Sequence, residues 1–446
     1  MCIGTKQIDL INLSKKYIEK INSLNIDVAK SAFCWFFNLR EAPGYFVLKN
    51  LQKNKKVSFA EIYFVLKQFI GVSILHNYKI LNKITSEKNF DKLIISWATR
   101  SDFNDNGSYN DRYFKQNSKD DKKNIWFLIY LDEQIPQKID NNIIIFGKEN
   151  SKKKYNFFYL FKVFLNIIFQ HKGSLVKTLH FCSRSSHFAK IVSQVVIEIV
   201  KTKNFKNILL AYEAQPFQNT IFKEIKKINN KIKLIGYLHS TQPFPSFSIY
   251  RNGAPDLLLS HSASQIFHLK EYLSWPKSKL KLVPSLRYQQ KDMTKYNNTL
   301  VLPISLSLEK ILLKQFRNFL KQHKNKSLHP LSIRNHPFSK RSKTHKKFIN
   351  DLNKILLEYD NRFSNQAKND IAIFFGGTST VLEALENNLT VIHICADLIF
   401  ESYSEVLWPS IKVNKINENI IQYALKSPGE CINFSLETNI FKKYYN

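Results

Sequence analysis

The stretch that decides the fold is IAIFFGGTSTVLEAL, residues 371–385. Its apolar start, residues 371–374, predicts a buried strand, and residues 379–386 predict the helix that follows. Two glycines, Gly376 and Gly377, occupy the turn between them. A strand that passes through a short turn into a helix is the repeating unit of parallel α/β sheets. The stretch therefore predicts an α/β domain around it.

The turn in this stretch has the composition of an anion site. Gly376 and Gly377 carry no side chains, so a ligand can approach the backbone closely. The polar side chains that follow are those of Thr378, Ser379, Thr380 and, on the first helical turn, Glu383. Free backbone N–H groups at the start of a helix attract phosphate. Capping of the helix by Ser379 or Thr380 is the alternative. Because a cap alone does not require two preceding glycines, we predict a phosphate site.

Strands and helices alternate along the rest of the chain as well. After residue 298 the predicted strands lie at residues 299–303, 331–334, 371–374 and 390–394. Before residue 289 they lie at residues 93–97, 125–130, 143–146, 207–212, 233–238 and 257–260. Helical segments between such strands indicate βαβ crossovers. We therefore predict an α/β fold of two doubly wound, Rossmann-like domains, residues 1–288 and 299–446, joined by a linker at residues 289–298 and facing a cleft.

A second polar segment, SIRNHPF at residues 332–338, ends another strand of the predicted C-terminal domain. Arg334 closes the strand, and Pro337 fixes the backbone directly after His336. A guanidinium and an imidazole can both bind a phosphate. Since both polar segments follow strands of one domain, we expect them to face the same cleft. A histidine stacked in a loop without a ligand is the alternative for His336.

With RNHP at residues 334–337 and GGTSTVLEAL at residues 376–385, the C-terminal half resembles bacterial GT-B glycosyltransferases of the sialyltransferase and Kdo-transferase type. Those enzymes carry a His-Pro motif and a Ser/Thr pair in the domain that binds a CMP-activated sugar. The resemblance implies that His336 and Pro337 lie near the cytidine and phosphate, and that Ser379 and Thr380 hold the phosphate. It also implies that Glu383 faces the sugar or ribose of the donor.

The candidates for a catalytic base lie in the N-terminal half. Glu213 follows a predicted strand, where a carboxylate could deprotonate an acceptor hydroxyl. The D-D-G and E-D-G motifs of some sialyltransferases are absent. The alternatives in the loop after residue 97 are Asp102, Asp105 and Asp111. His239 and Ser240 follow the next strand and are candidates to bind acceptor hydroxyls or donor phosphate oxygens. We prefer Glu213 as the base, with a helix cap or surface role as the alternative.

Composition excludes several other classes of protein. The 446 residues include 67 Lys and Arg against 35 Asp and Glu, a formal charge of +32, but 57 of the basic residues are lysine. Nucleic-acid readers rely on arginine, so we expect no nucleic-acid partner. The five cysteines are scattered and form no C-x-x-C pair, which argues against a structural zinc or a disulfide framework. Walker, G-x-G-x-x-G and G-x-S-x-G motifs are also absent.

One segment raises the question of a membrane. The N-terminus lacks the pattern of a signal peptide, so we expect a cytoplasmic protein. Residues 155–169, YNFFYLFKVFLNIIF, are the most apolar stretch and follow Lys152, Lys153 and Lys154. A buried core helix is the favoured interpretation. The alternative is a helix in the interface of an anionic membrane, which would make the protein peripheral at the inner face of the cell membrane.

These features together predict a glycosyltransferase. We expect it to transfer a sugar from a CMP-activated acidic sugar to a surface glycan or lipopolysaccharide. The nucleotide sugar is then a substrate, and no cofactor is expected. The absence of a D-x-D motif favours a metal-independent reaction. The alternatives are a GT-B-like polyol-phosphate transferase, a nucleotide-sugar epimerase, and a non-catalytic basic protein that binds glycans or membranes.

Overall fold

The computed structural model of the chain describes residues 2–37, 42–54, 59–83, 90–149, 154–288, 296–306, 308–322, 328–336, 339, 342–364, 371–434 and 444. Three helices precede the first long strand: α1 (Ile3–Ser23), α2 (Pro43–Lys53) and α3 (Phe59–Ile70). The buried side of α1 includes Leu10, Ile11, Ile18 and Ile21, at the spacing of one helical face. This helix therefore packs on the rest of the molecule along its whole length.

The first sheet holds the side chains predicted for the N-terminal half. Its strands are β1 (Tyr78–Ile80), β2 (Lys92–Ala98), β3 (Asn124–Tyr130), β4 (Ile143–Lys148), β5 (Asn207–Ala211), β6 (Lys233–Leu238), β7 (Leu257–Ser260) and β8 (Leu280–Leu282). They lie in the order β1-β4-β3-β2-β5-β6-β7-β8. All neighbouring pairs are parallel except β1, which pairs with β4 in the antiparallel sense. Strands β2 to β7 are almost wholly buried, as expected of a sheet covered on both faces.

The helices of this half are α4 (Phe157–Gln170), α5 (Leu175–Phe181), α6 (Arg184–Thr202), α7 (Pro216–Ile228) and α8 (Ala263–Glu271). Helix α7 begins with Pro216 at its first turn, directly after a capping box formed by Gln215 and Gln218. This cap fixes the path of the chain between β5 and α7. The backbone around Glu213 is held in place by it.

The second sheet contains β9 (Thr299–Val301), β10 (Ser332–Arg334), β11 (Ile371–Phe375), β12 (Thr390–Ile394), β13 (Ile411–Lys415) and β14 (Ile420–Leu425). Its order is β10-β9-β11-β12-β14-β13, in which the first four strands are parallel and the last two form an antiparallel hairpin. The helices are α9 (Glu309–Gln322), α10 (Lys343–Glu358), α11 (Thr380–Glu386) and α12 (Leu398–Glu401). The predicted α/β class with two largely parallel sheets is confirmed, and both sheets are mixed.

The two sheets lie on either side of the predicted linker in the sequence. Residues 289–295 of that linker fall outside the described residues, and residues 296–298 lie in a turn before β9. The two halves also share contacts: the side-chain amide of Gln7 in α1 donates to the carbonyls of Ile399 and Ser402, both at 2.9 Å. The N-terminal helix is therefore docked on the half that contains the second sheet.

The structure contradicts the expectation that residues 155–169 form a buried core helix. The segment does form α4, but only Val163 and Ile167 of that helix are buried. Its aromatic residues Phe157, Phe158 and Phe161 are exposed. Lys154 is exposed, and Lys152 and Lys153 lie outside the described residues. In the described part of the chain, no helix combines the length and the hydropathy that crossing a bilayer requires.

Candidate functional site

Glu213 lies where the order of strands in the first sheet reverses. The chain runs outward from β2 through β3 to β4 and then returns to β5 on the other side of β2. Such a switch point leaves a crevice at the carboxyl ends of the two central strands, and ligands of open α/β sheets bind there. Glu213 follows β5 by two residues and so stands at this crevice.

The carboxylate of Glu213 is held by two partners. Its Oε1 lies 3.3 Å from Nε2 of His239, and its Oε2 accepts a hydrogen bond of 2.8 Å from the side-chain amide of Gln215. Burial raises the pKa of Glu213, but the hydrogen bond and charge of His239, the bond from Gln215 and the charge of Arg287 outweigh it, so the pKa is lowered. Glu213 is therefore an ionised carboxylate at neutral pH.

His239 is the more buried partner of this pair. Its side chain is 6% exposed, against 20% for Glu213. Its Nδ1 has no hydrogen-bond partner within the described residues, and its ring packs edge-on against Tyr113 at a centroid distance of 4.5 Å. Because an ionised carboxylate only accepts hydrogen bonds, Nε2 carries the proton that points at Glu213. His239 thus orients Glu213, and the carboxylate is the member that a substrate can reach.

The other predicted residues of this half have structural contacts. Ser240 is buried, and its carbonyl accepts a bond of 3.0 Å from the side chain of Gln265. Asp102 pairs with Arg112 at 2.5 Å and closes a capping box with Thr99. These bonds fix Ser240 and Asp102 inside the fold.

The remaining alternatives to Glu213 are Asp111 and Asp105. Asp111 is buried and accepts bonds from the hydroxyls of Ser96 at 2.5 Å and Tyr109 at 2.8 Å. Asp105 is exposed in the loop. Of the four carboxylates considered, Glu213 is the one that combines a position at the switch point with partial burial.

The glycine turn lies at the corresponding position of the second sheet. There the order reverses between β9 and β11, and Gly376 and Gly377 follow β11 directly. Gly376 has a φ of +60°, and a Cβ added to it would lie 3.3 Å from Cγ of Pro303, which follows β9. Its carbonyl lies 2.6 Å from Nε2 of His393. Glycine at position 376 therefore allows the turn to close against the neighbouring strand.

Simple helix capping does not account for Ser379. It occupies the N-cap position of α11, yet its hydroxyl makes no capping bond and lies 3.4 Å from the hydroxyl of Tyr288. The hydroxyls of Thr378 and Thr380 lie 2.9 Å apart. Helix α11 spans seven residues, close to the predicted helix at residues 379–386. A phosphate at this turn stays a prediction.

Glu383 and Arg334 meet at Tyr296. The hydroxyl of Tyr296 donates to Oε2 of Glu383 at 2.5 Å, and the guanidinium of Arg334 lies over the Tyr296 ring, 5.0 Å from its centroid. Glu383 is buried, so direct contact with a ribose or sugar stays a prediction. His336 is half-buried beyond the end of β10. Pro337 lies outside the described residues.

Arg287 connects the two groups of predicted residues. Burial, then the charges of Arg287, His345 and Arg334, lower the pKa of His336 to about 4. The positive charge of Arg287 also contributes to lowering the pKa of Glu213, after burial and the bonds from His239 and Gln215. The guanidinium is therefore close to side chains of both halves. The guanidinium lies over the ring of Tyr288, 5.3 Å from its centroid, and the charges of Tyr288, Tyr113 and Glu383 raise the pKa of Arg287 against the effect of burial.

Sequence reasoning missed Arg287 because this residue stands at the edge of the predicted linker, residues 289–298, in a polar, irregular stretch. The available signal was its residue type, since arginine accounts for only 10 of the 67 basic residues. A second contact joins the halves nearby: the Tyr403 hydroxyl lies 2.8 Å from the carbonyl of Thr241 and 3.0 Å from that of Thr378. The glycine turn and the segment after β6 are thus neighbours.

The described residues contain no cluster of three or more His, Cys, Asp or Glu side chains arranged to hold a metal ion. The polar groups of the cleft instead suit an anion, since they include Arg287, Arg334, His336 and the hydroxyl of Ser379. Guanidinium groups bind phosphates and carboxylates through charge-assisted hydrogen bonds. The charge of Arg287 also acts on the carboxylate of Glu213. The arrangement therefore places a cation that can bind an anion near a carboxylate that can accept a proton.

No protein-family model matches the chain, and no curated protein matches it. Among solved structures, a glycosyltransferase from Rickettsia africae aligns at 15% identity with a TM-score of 0.35, over 68% of this chain and 79% of its own. The α,α-trehalose 6-phosphate synthase from Burkholderia multivorans aligns at 10% identity with a TM-score of 0.34, over 64% of this chain and 76% of its own. Likeness at this level carries no information about the reaction.

Proposed function

We propose that the protein is a GT-B-like glycosyltransferase that transfers a sugar from a nucleotide-activated donor bound in the cleft. The observation that carries the proposal is the position of Arg287. This guanidinium lies over the ring of Tyr288, and its charge contributes to lowering the pKa of both Glu213 and His336. A partly buried guanidinium near groups of both halves can bind an anionic ligand, and a nucleotide sugar supplies one through its phosphate.

The cleft suits a donor with two anionic groups. Arg287 and Arg334 supply two guanidiniums, and the hydroxyl of Ser379 supplies a further hydrogen-bond donor. A CMP-activated acidic sugar carries one phosphate and one sugar carboxylate, which matches this set of groups. The resemblance of RNHP and GGTSTVLEAL to sialyltransferase and Kdo-transferase motifs supports the same donor. A surface glycan or lipopolysaccharide is the proposed acceptor.

The reaction we infer is a displacement at the anomeric carbon. The acceptor oxygen attacks that carbon while Glu213 takes its proton, and the bond from the carbon to the phosphate oxygen breaks. The electron pair of that bond leaves with the nucleotide, whose growing charge is compensated by Arg287 and Arg334. Fixed cations of this kind stabilise the leaving group without reorganisation during the reaction. In this proposal they take the part that a metal ion has in other transferases.

Nucleotide binding is the direct test. We expect CMP and a CMP-activated sugar to raise the melting temperature, whereas UMP and GMP should not, because a ligand of the native state stabilises it. Arg287→Ala should weaken CMP binding by about 10- to 100-fold, since a charge-assisted bond contributes roughly 1.5–3 kcal/mol. His336→Ala and the double change Ser379→Ala with Thr380→Ala should weaken it as well. Isothermal titration calorimetry measures the affinity.

The matched control is Arg317→Ala. Arg317 is an exposed arginine that pairs with Glu358 on the next helix, so its loss should leave CMP affinity unchanged. Equal affinity in the wild type and Arg287→Ala would remove the cleft from this account. Release of CMP from the donor only when acceptor is present would separate a transferase from an epimerase and from a non-catalytic glycan-binding protein.

A further inference from the structure

Helices α4 and α5 present an apolar surface to solvent. Phe158 is 79% exposed, Phe169 is 75% exposed and Leu175 is 70% exposed. We use the name α4–α5 face for the exposed residues Tyr155, Phe157, Phe158, Phe161, Phe164, Phe169, Leu175, Val176 and Leu179. Single exposed apolar residues are common on protein surfaces, but a contiguous group of large ones marks an interaction site.

The α4–α5 face is held firmly from behind. Asn156 caps α4 by accepting a bond of 2.8 Å from the backbone N–H of Tyr159. The hydroxyl of Tyr159 is bonded to Nε2 of His187 at 2.7 Å, and Val163 and Ile167 are buried against the domain. The exposed phenylalanines are therefore on a fixed helix with its own buried side. Their exposure is a feature of the folded surface.

The chain segment that carries this face has charges of one sign. Between Glu149 and Glu198 the chain has no acidic residue. The basic residues of the same interval are Lys152, Lys153, Lys154, Lys162, Lys172, Lys177, Arg184 and Lys190. Lys154, Lys162 and Lys172 are exposed beside the aromatic side chains. Long lysine side chains can keep the charge at a polar surface while their stems cover apolar groups.

We propose that the α4–α5 face docks on an anionic lipid bilayer, with α4 lying in the plane of the interface. Aromatic side chains are favoured at the boundary between headgroups and acyl chains, and the lysines match the negative potential of anionic lipids. The charge and the apolar side chains of the face together match a surface that is both negative and apolar, as an anionic bilayer is at its interface. The proposal is independent of the transferase activity.

Co-sedimentation of the full chain with vesicles tests the proposal. We expect binding to vesicles of phosphatidylcholine mixed with phosphatidylglycerol, weak binding to phosphatidylcholine alone, and release by added salt as the attraction is screened. The double change Phe158→Ser with Phe161→Ser should lower the bound fraction at least about tenfold, because it removes two apolar anchors. The matched control, Leu357→Ser, alters an equally exposed apolar residue on α10 and should bind as the wild type does.

A second pair of variants tests the charge. The double change Lys162→Glu with Lys172→Glu should abolish the preference for anionic vesicles, whereas Lys354→Glu, on α10, should not. The proposal is overturned by failure to bind anionic vesicles, by equal binding to neutral ones, or by unchanged binding of the Phe158 and Phe161 variant. Light scattering adds a further test. If the phenylalanine variant converts an oligomer to a monomer without affecting vesicle binding, the face is a protein interface and the proposal is wrong.

Discussion

At the scale of single residues, the pair formed by Glu213 and His239 determines which side chain would accept a proton from the acceptor hydroxyl. The carboxylate is kept ionised although burial alone would raise its pKa, because His239 and Gln215 both donate to it. An ionised group at the switch point is ready to accept a proton from an acceptor hydroxyl. The two residues therefore have different parts, one as the base and one as its positioning partner.

Glu213→Gln should lower the turnover number by roughly two to four orders of magnitude, because an amide cannot accept the proton. Donor affinity should change little, since Arg287, Arg334 and His336 hold the phosphate in our proposal. Steady-state kinetics with calorimetric donor binding measures both quantities. Full activity in Glu213→Gln, with loss of activity in Asp102→Asn, Asp105→Asn or Asp111→Asn, would move the base to the loop after β2.

The variant His239→Asn tests whether His239 positions Glu213 without acting as the base itself. Burial raises the pKa of Glu213 and the bond from His239 lowers it, so removal of His239 should raise that pKa. A base works only when deprotonated, and the acid limb of the pH–rate profile should therefore shift to higher pH. If the acid limb does not move, the bond from His239 does not control the pKa of Glu213, and His239 is not its positioning partner.

At this scale, sequence reasoning found the polar side chains that follow strands and missed Arg287, which lies between the two domains. Glu213, His239 and His336 could be predicted because each follows an apolar run that indicates a strand. Arg287 has no such marker. Its position depends on how the chain leaves β8 and crosses towards the second sheet, which is a long-range property of packing.

At the scale of elements, the turn between β11 and α11 depends on glycine at position 376. Gly376→Ala should cost about 2 kcal/mol of unfolding free energy, of which about 1 kcal/mol comes from a positive φ and the rest from the contact of Cβ with Pro303. The control is Gly429→Ala. Gly429 has a φ of +81° with nothing within 4 Å of an added Cβ, so Gly429→Ala should cost only the share of about 1 kcal/mol that comes from the positive φ. Urea denaturation measures the unfolding free energy of both variants. Equal losses would contradict a contribution from the contact between the added Cβ and Pro303.

The elements that sequence patterns missed are those whose buried side is not apolar or whose partners are distant. In α1 the buried positions include Gly4, Gln7 and Ser14, which break the apolar period. Gln7 is buried because it bonds to carbonyls near α12. Strands β13 and β14 pair with each other and with β12 in the antiparallel sense, outside any βαβ unit. The parallel strands were predictable because burial on both faces makes them continuous apolar runs.

At the scale of the whole molecule, polar contacts link the two halves at buried positions. Tyr403 lies between the carbonyls of Thr241 and Thr378, and the indole N–H of Trp408 donates to the carbonyl of Pro243 at 3.3 Å. The ring of His268 in α8 packs edge-on against Trp408 at 4.8 Å, with its Nδ1 near the carbonyl of Leu407 at 3.2 Å. A charge on His268 would therefore appear inside the contact between the halves.

Buried histidines should make the fold sensitive to mild acid. Burial lowers the pKa of His268 and His261 to about 3 and that of His393 to about 4. Histidines of the unfolded chain have a pKa of about 6.5. Between about pH 4 and 6.5 the unfolded chain therefore binds more protons than the native state does. The unfolding free energy should therefore fall from pH 7 to pH 5, by on the order of 1 kcal/mol for each of these groups. Urea denaturation at both pH values, followed by tryptophan fluorescence, measures it. His268→Gln should reduce the loss by one group's share, whereas His329→Gln, at a partly exposed position, should not change it. A stability independent of pH over this range would show that these histidines are not buried as neutral rings.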